Sequence, residues 1–406
     1  MSRLFRAGIL GGCLAISAPV FAQTEAERMK AMENKLEAIQ TELTQVTSGM
    51  AKRSSADDGL PIHGFMDVGF ATNSWGGIEA GPKGFNGGAL SFFLTPHFGD
   101  RVKALVEPIF EVTPEGVVAM DLERLQIAYT FSDAATLWAG RFHTPYGYWN
   151  TGFHHGAQIQ TSVLRPRFLD FEDKGGILPA HMVGLWDTGK FKAGEGKLTY
   201  DVFAGNGPRI AMANPNAPPA PTNLGTLDPN FSGDNNHQAM VGFNLGYEFA
   251  GSMDGLRLAV HGVRGDVDDD MPMQFNKTKL NMVGGSAVYF SDAWEVMSEY
   301  YGFNDKDKSG STGTHKSKAG YLQVATSFNR LTPYVRFERA ILDQADNYFR
   351  MQANGQSYAR QALGLRYNLD QKAALKFEVL NSSFKAETGR SAEGYRSLFI
   401  QYAIGF

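Results

Sequence analysis

From Pro61 onward, large apolar side chains recur at every second position, and this period of two constrains the fold more than any other feature. Alternate side chains of a strand point to opposite faces, so each such segment predicts a strand with one apolar face. Counted along the chain, these segments predict sixteen strands.

The links between these segments alternate strictly between short and long. Long links lie near 73–88, 113–121, 143–180, 206–236, 265–277, 304–318, 340–357 and 381–394, and short ones near 99–101, 132–135, 188–197, 250–255, 291–293, 329–330 and 370–373. Up-and-down barrels with short turns at one rim and longer loops at the other produce this alternation. We therefore predict an all-β, up-and-down barrel of sixteen antiparallel strands over residues 61–406. A soluble β-sandwich, the alternative, gives no reason for the links to alternate.

Composition indicates that this barrel spans a membrane. Beyond residue 22, no run approaches the roughly 18 apolar residues of a spanning helix. Transmembrane barrels lack such runs because only half of each strand meets lipid. The 46 glycines, 29 phenylalanines and 15 tyrosines supply turns and interfacial aromatic side chains. The net charge of -4 indicates no nucleic-acid partner.

The N-terminus has the pattern of an export signal. Two arginines precede an apolar stretch over 7–21, and residues 20–22 have the small-x-small form of a cleavage site. We therefore predict a signal peptide over residues 1–22. A lipoprotein is the alternative, but the apolar segment before Cys13 is too short for it. Removal of the signal discards this single cysteine, which excludes a disulfide and a cysteine-ligated metal.

Residues 23–52 differ in kind from the rest of the chain. Apolar residues recur there at spacings of three and four among polar ones, which predicts a short N-terminal coiled-coil helix. Leu36 and Leu43 take position a and Ile39 takes position d, which favours oligomers above the dimer, so we predict a homotrimer. A single amphipathic helix lying on the barrel or the membrane is the alternative, because about three heptads are marginal alone. The coiled-coil stripe comprises Met29, Met32, Leu36, Ile39, Leu43 and Val46, and residues 53–60 are predicted to be a linker.

The last strand and one internal segment resemble known outer-membrane barrels. Alternate residues of 398–406 are apolar and the chain ends on Phe406, which resembles the closing strand of bacterial outer-membrane barrels. The segment 137–147, LWAGRFHTPYG, is similar in layout to the strand that leads into the third loop of the phosphate-selective porin O and P family and of DcaP-like porins. The mature chain as a whole resembles these trimeric Gram-negative porins. The resemblance implies an outer-membrane location and a periplasmic N-terminal helix.

Sixteen strands leave an aqueous channel unless some segment folds inward. The resemblance implies that the third external loop, 143–180, folds into the barrel and forms the constriction. Its aromatic and charged residues are the candidates: Tyr146, His154, His155, Arg165, Arg167, Asp170, Glu172, Asp173 and Lys174. The alternative for the two arginines is that they pair with the loop's own carboxylates and hold its shape. Adjacent histidines diverge and no cysteine lies nearby, so we predict no metal site at the histidine pair.

Charges that face the lumen should tune selectivity, and four basic ones lie on neighbouring strands. This basic wall comprises Arg336, Arg360, Arg366 and Lys376. Guanidinium groups bind carboxylate or phosphate bidentately, so the wall favours an anionic solute. The alternative is that these residues pair across the lumen with Glu338 and Glu378. A lysine-rich ring is missing, which argues against selectivity for phosphate in particular.

The predicted function is passive diffusion of small hydrophilic solutes, with anions such as phosphate or carboxylate as candidates, through a water-filled channel. No cofactor is implied. Five histidines lie in or beside loops, but none has a spacing to Ser or Asp that marks a nucleophile, so we predict no enzyme activity. An outer-membrane phospholipase or protease and a plugged structural barrel are the alternatives.

Overall fold

The computed structural model describes residues 62–72, 83–113, 116–153, 156–170, 176–228, 234, 236–310, 312–387 and 390–406. The predicted signal peptide, coiled coil and linker lie outside the described residues, so they stay predictions. The same holds for His154, His155, Glu172, Asp173 and Lys174 of the third loop. Within the described ranges, no helix is long and apolar enough to cross a membrane.

In the described part of the chain, sixteen antiparallel strands form one closed sheet. They are β1 (Ile62–Ala71), β2 (three segments, Gly84–Asn86, Ala89–Leu94 and His97–Phe98), β3 (Val102–Val112), β4 (Val118–Ser132), β5 (Ala135–His143), β6 (His181–Ala193), β7 (Gly196–Asn206), β8 (Met240–Glu248), β9 (Leu256–Asp268), β10 (Lys277–Phe290), β11 (Trp294–Asp307), β12 (Thr314–Thr326), β13 (Leu331–Ile341), β14 (Tyr358–Asn368), β15 (Ala373–Phe384) and β16 (Glu393–Gly405). Each strand pairs with its neighbours in the chain, and β1 pairs with both β2 and β16. The predicted up-and-down barrel is therefore confirmed.

The links at one rim of the barrel have two to seven residues, and most links at the other rim are longer. The links at this second rim, the loops L1 to L8, are 72–83, 113–117, 144–180, 207–239, 269–276, 308–313, 342–357 and 385–392, with L2 (five residues) and L6 (six residues) as the exceptions in length. One short link differs from its prediction, because β6 and β7 are joined by residues 194 and 195 alone rather than by a link over 188–197. Gly194 has a φ of 62°, a left-handed conformation that suits a tight turn. The polar strand ends on the two sides of this turn, around Lys192 and Lys197, resemble a loop in composition.

Side chains alternate between an apolar outer face and the barrel interior. Val260 and Leu363 point outward and are 56% and 62% exposed, whereas their chain neighbours His261 and Ala362 are buried. On β16, Leu398 and Tyr402 are exposed while Phe399 and Gln401 are buried. The apolar face predicted for the last strand is therefore its outer face.

Closure of the barrel sets the last residue against the first strand. Gly64 and Phe406 exchange two backbone hydrogen bonds, 3.1 Å from the Gly64 nitrogen to the Phe406 oxygen and 3.0 Å in return. A Cβ at position 64 would lie 2.3 Å from the Phe406 ring. Glycine is therefore required where the two ends of the sheet meet.

Loops L3, L4, L5 and L7 contribute apolar side chains to one buried cluster inside the barrel, L5 through Met271. Loop L3 contains the helical turn α1 (Trp149–Gly152) and a 3-10 turn (Arg167–Leu169), and L7 contains the helical turn α2 (Asn347–Arg350). In L4, Arg209–Met212 pairs with Gly225–Asp228 in a hairpin. Their buried side chains join one cluster with inward residues of the barrel: Trp149, Phe168, Ile210, Leu227, Tyr348 and Phe349. The sequence predicts inward folding for L3 alone.

Candidate functional site

Loop L3 is fixed inside the barrel by carboxylates that point inward from the strands. Glu299 on β11 accepts backbone hydrogen bonds from Tyr148 (2.8 Å) and Trp149 (2.9 Å) at the start of α1. The same carboxylate accepts the hydroxyl protons of Tyr301 (2.7 Å) and Tyr321 (2.9 Å). Four donors around one buried carboxylate hold α1 against the wall, because hydrogen bonds to charged groups are the stronger kind.

Two more inward carboxylates hold the middle of L3. Glu378 on β15 accepts a hydrogen bond from the backbone of Val163 at 3.1 Å, and Glu338 on β13 accepts one from the backbone of Arg167 at 2.7 Å. On β11, Glu295 accepts the hydroxyl proton of Thr161 at 2.6 Å. The loop therefore lies against β11 to β15 along much of its described length.

The basic wall is covered by this loop rather than open to the lumen. Arg336 donates to the carbonyl oxygen of Leu164 at 2.8 Å and pairs with Glu338 at 2.8 Å. Arg366 donates to the carbonyl oxygen of Gln160 at 2.9 Å. Both arginines therefore donate charge-assisted hydrogen bonds to backbone carbonyls of L3.

The other two members of the basic wall, Arg360 and Lys376, are buried. Lys376 donates to the carbonyl oxygen of Ser162 at 3.1 Å, and Arg360 donates to the Ser382 hydroxyl at 3.2 Å. Arg336, Arg360 and Lys376 are buried and Arg366 is half-buried, so this arrangement does not support a solute-facing wall, and that interpretation stays a prediction. The inward direction of the four agrees with the alternation. Arg336, Arg366 and Lys376 contact the loop backbone, whereas Arg360 contacts a hydroxyl on β15. The alternative, pairing with Glu338 and Glu378, holds for Arg336, which lies 2.8 and 3.9 Å from those carboxylates.

The candidate constriction residues that the structure describes are mostly buried in L3. Arg165 and Arg167 are 7% and 3% exposed. The Arg167 guanidinium lies over the rings of Tyr358 (5.4 Å) and Phe384 (4.7 Å). Burial lowers the pKa of Arg167 to about 10, so the side chain remains cationic at neutral pH. These contacts indicate that Arg167 fixes the loop's shape.

Tyr146 and Asp170 lie at two other places in the loop. The buried Tyr146 ring meets Tyr301 edge-on at a centroid distance of 6.0 Å. Asp170 is half-buried and ends the 3-10 turn, where its backbone N–H donates to the Arg167 carbonyl oxygen at 3.1 Å. The exposed residues of L3 in the described ranges are uncharged: Thr151, Gly152 and Ile159.

A second set of inward residues, on β3 to β9, is half-buried and polar. We call it the polar wall, and it comprises Lys103, Trp138, Trp186, Asp201, Glu248 and Arg257. Lys103 Nζ lies 5.2 Å from the Trp138 ring, which stacks on Trp186 at 6.0 Å. Trp186 in turn donates its indole N–H to Asp201 at 3.0 Å. The wall thus presents aromatic faces and charges of both signs.

The polar wall approaches L3 at one point. The Arg257 guanidinium lies 5.8 Å from the Tyr148 ring and 3.9 Å from the Glu248 carboxylate. Burial raises the pKa of the Tyr148 phenol, which keeps it neutral at physiological pH. The tryptophan pair was not among the residues predicted from sequence. The alternation of apolar residues along β5 and β6 already places both side chains on the inward face.

Comparison with solved structures shows the same fold. The chain resembles a loop-deletion variant of OmpT, an outer membrane protein of Vibrio cholerae, with a TM-score of 0.55 and 11% identity over 86% of this chain and 99% of the other. It resembles the anion-selective porin of Comamonas acidovorans with a TM-score of 0.52 and 12% identity over 86% and 99%. It also resembles the outer membrane channel DcaP of Acinetobacter baumannii with a TM-score of 0.53 and 9% identity over 86% and 97%. No protein-family model and no curated protein matches the chain. At these identities the likeness concerns the fold alone.

Proposed function

We propose that this chain is an outer-membrane porin through which small hydrophilic solutes diffuse passively. One observation carries the proposal: L3 is fastened inside a closed sixteen-strand barrel while the polar wall opposite stays half-buried. In a barrel of this size the inward side chains do not fill the interior, and an aqueous bore remains. A loop that folds inward therefore narrows this bore. The gap between L3 and the polar wall is the proposed constriction.

The outer surface supports a membrane location. Outward positions carry apolar side chains across the strands, among them Val260 and Leu363. Aromatic residues such as Trp294 and Phe328 lie exposed beside the short turns, where interfacial girdles occur. The structural neighbours include proteins described as an anion-selective porin and as an outer membrane channel.

We propose that the channel selects weakly by charge. The polar wall holds two cations, Lys103 and Arg257, and two anions, Asp201 and Glu248. The sequence of the basic wall favoured an anionic solute. In the structure, three of its members, Arg336, Arg366 and Lys376, donate hydrogen bonds to backbone carbonyls of L3. Small neutral and zwitterionic solutes therefore fit this lining as well as phosphate or carboxylate does.

Three further parts of the proposal rest on sequence. The signal peptide directs export, the heptad stripe over 23–52 joins three copies on the periplasmic side, and the chain performs no catalysis. One of the neighbouring structures is a trimer form of OmpT, which supports the oligomer. Mass photometry of the mature chain, with and without residues 23–52, tests the trimer, and lipase and protease assays test the absence of enzyme activity.

Liposome swelling tests the channel itself. Folded protein in liposomes should admit small sugars quickly and larger oligosaccharides progressively more slowly. Liposomes that contain folded protein but swell no faster than protein-free ones would identify a plugged scaffold and overturn the proposal. Folding is checked in the same samples by the shift of the unheated band in gel electrophoresis.

A further inference from the structure

Three metal-ligating side chains lie together where L3 leaves and re-enters the barrel. Glu123 is on β4, His143 is the last residue of β5, and His181 is the first residue of β6. One ligand atom from each lies within 4.8 Å of the other two. The three residues are only 2%, 4% and 3% exposed. The set shares no residue with the polar wall or with the contacts described above that fasten L3.

The fold brings the three together by two features of the strands. His143 and His181 stand directly opposite each other in the β5–β6 ladder, with ring centroids 4.9 Å apart. In the β3–β4 ladder, Glu107 pairs with Arg124 and Pro108 pairs with Leu122, so Glu123 is an extra residue in a bulge. Proline has no N–H for the ladder, and a bulge redirects the side chain of the extra residue. The bulge opposite Pro108 therefore orients the Glu123 side chain toward the two histidines.

Part of the cluster is explained without a metal. His181 Nε2 lies 2.8 Å from Glu123 Oε2, which places a buried histidine at ion-pair distance from a buried carboxylate. That contact involves two of the three residues. His143 adds a second imidazole, whose ligand atom lies within 4.8 Å of the other two. Two imidazoles and one carboxylate are a set that binds Zn²⁺ and leaves a fourth position open.

We propose that Glu123, His143 and His181 form a Zn²⁺ site that ties together the two ends of L3. A dication compensates the buried carboxylate, whose desolvation is otherwise costly, and neutral imidazoles are the form that binds metal. The ligands come from three adjacent strands at the base of the loop, so the ion stabilises the loop's attachment. This proposal stands whether or not the barrel conducts.

The test uses the folded full chain in detergent after treatment with a chelator and dialysis. Isothermal titration with ZnCl₂ should show one site per chain, and Co²⁺ should give the visible absorption of a protein-bound ion. Zinc at saturating concentration should raise the unfolding temperature, because a ligand that binds only the folded state stabilises it.

Variants assign the site. Glu123→Gln and His143→Gln should each weaken zinc binding at least tenfold and remove the Co²⁺ absorption. The matched control is His315→Gln, a buried histidine that lies 3.0 Å from Asp343 on another part of the barrel. It should bind zinc like the parent chain. Absence of stoichiometric binding by the parent, or binding that survives Glu123→Gln unchanged, would overturn the proposal. Glu123→Gln preserves side-chain shape, and the gel shift of the folded barrel verifies each variant.

Discussion

The attachment of α1 to Glu299 leads to a prediction that can be worked through quantitatively. Each carboxylate oxygen of Glu299 accepts one backbone N–H and one tyrosine hydroxyl proton. In Glu299→Gln, one oxygen becomes an NH₂ group that faces a backbone N–H of α1. A tyrosine hydroxyl can rotate to accept a hydrogen bond, but a backbone N–H cannot. At least one buried donor then loses its acceptor, and the remaining bonds lose the charge.

The expected loss follows from these contacts. A hydrogen bond to a charged group contributes about 1.5–3 kcal/mol, and an unsatisfied buried donor costs about 1–3 kcal/mol. We expect α1 to be held less tightly by about 3 kcal/mol, which corresponds to roughly a 150-fold rise in local opening. Hydrogen exchange measured by mass spectrometry over 146–153 should accelerate by about that factor, because these amides exchange through local opening.

The matched control for this prediction is Asp201→Asn. Asp201 also points inward, but it is half-buried in the polar wall and accepts the Trp186 indole N–H at 3.0 Å. Exchange over 146–153 should be unchanged in this variant. If Glu299→Gln folds and its exchange there stays within threefold of the parent chain, the assignment of Glu299 as the anchor of L3 is refuted.

Three further predictions follow from the same contacts. Arg336→Met removes a buried donor to L3 and leaves Glu338 without its guanidinium, so the free energy of unfolding in urea should fall by about 3–5 kcal/mol; an unchanged midpoint would contradict the buried pair. Arg257→Gln should shift the reversal potential measured across a salt gradient toward cation preference, whereas Arg165→Gln, a change at a buried residue, should leave it unchanged. The opposite pattern would show that residues of L3, and not the polar wall, determine ion selectivity. Gly64→Val should make the first strand clash with the Phe406 ring and prevent the barrel from closing. The band of the folded, unheated protein in gel electrophoresis should then be lost after refolding, and its retention would contradict this contact.

The strand architecture could be predicted from sequence because it depends on short-range patterns. Side-chain alternation gives each strand and its outward face, and link composition gives the rim to which each connection belongs. The single error among the short turns, over 188–197, has a local cause. Polar strand ends near the turn look like loop, whereas the tight turn at Gly194 depends on one backbone conformation.

The candidate site was harder to predict. Alternation along a strand tells which face of the barrel a side chain points to, but it does not tell which residue that side chain contacts. Arg336 and Lys376 do point inward, as expected, but whether an inward cation meets water or a loop carbonyl depends on contacts more than 170 positions away in the chain. The inward folding of L4 and L7 depends on the same long-range packing. No local pattern separates such loops from external ones.

The buried histidines illustrate a signal that was present but not used. Sequence reasoning considered only the adjacent pair in L3 and predicted no metal site. Pro108 inside a strand already indicated a break in the ladder, and a break can turn a neighbouring side chain inward. The register of four strands, β3 to β6, was needed to tell which residue of β4 is displaced and that it lies beside His143 and His181.

Single-channel recording in a planar lipid bilayer tests the central claim most directly. Folded, purified protein at high salt should insert with stepwise increases in conductance, and closures should come in groups of three because each copy of the trimer has its own bore. Insertion of verified folded barrels without conductance above that of the bare bilayer would contradict a continuous aqueous path between L3 and the polar wall.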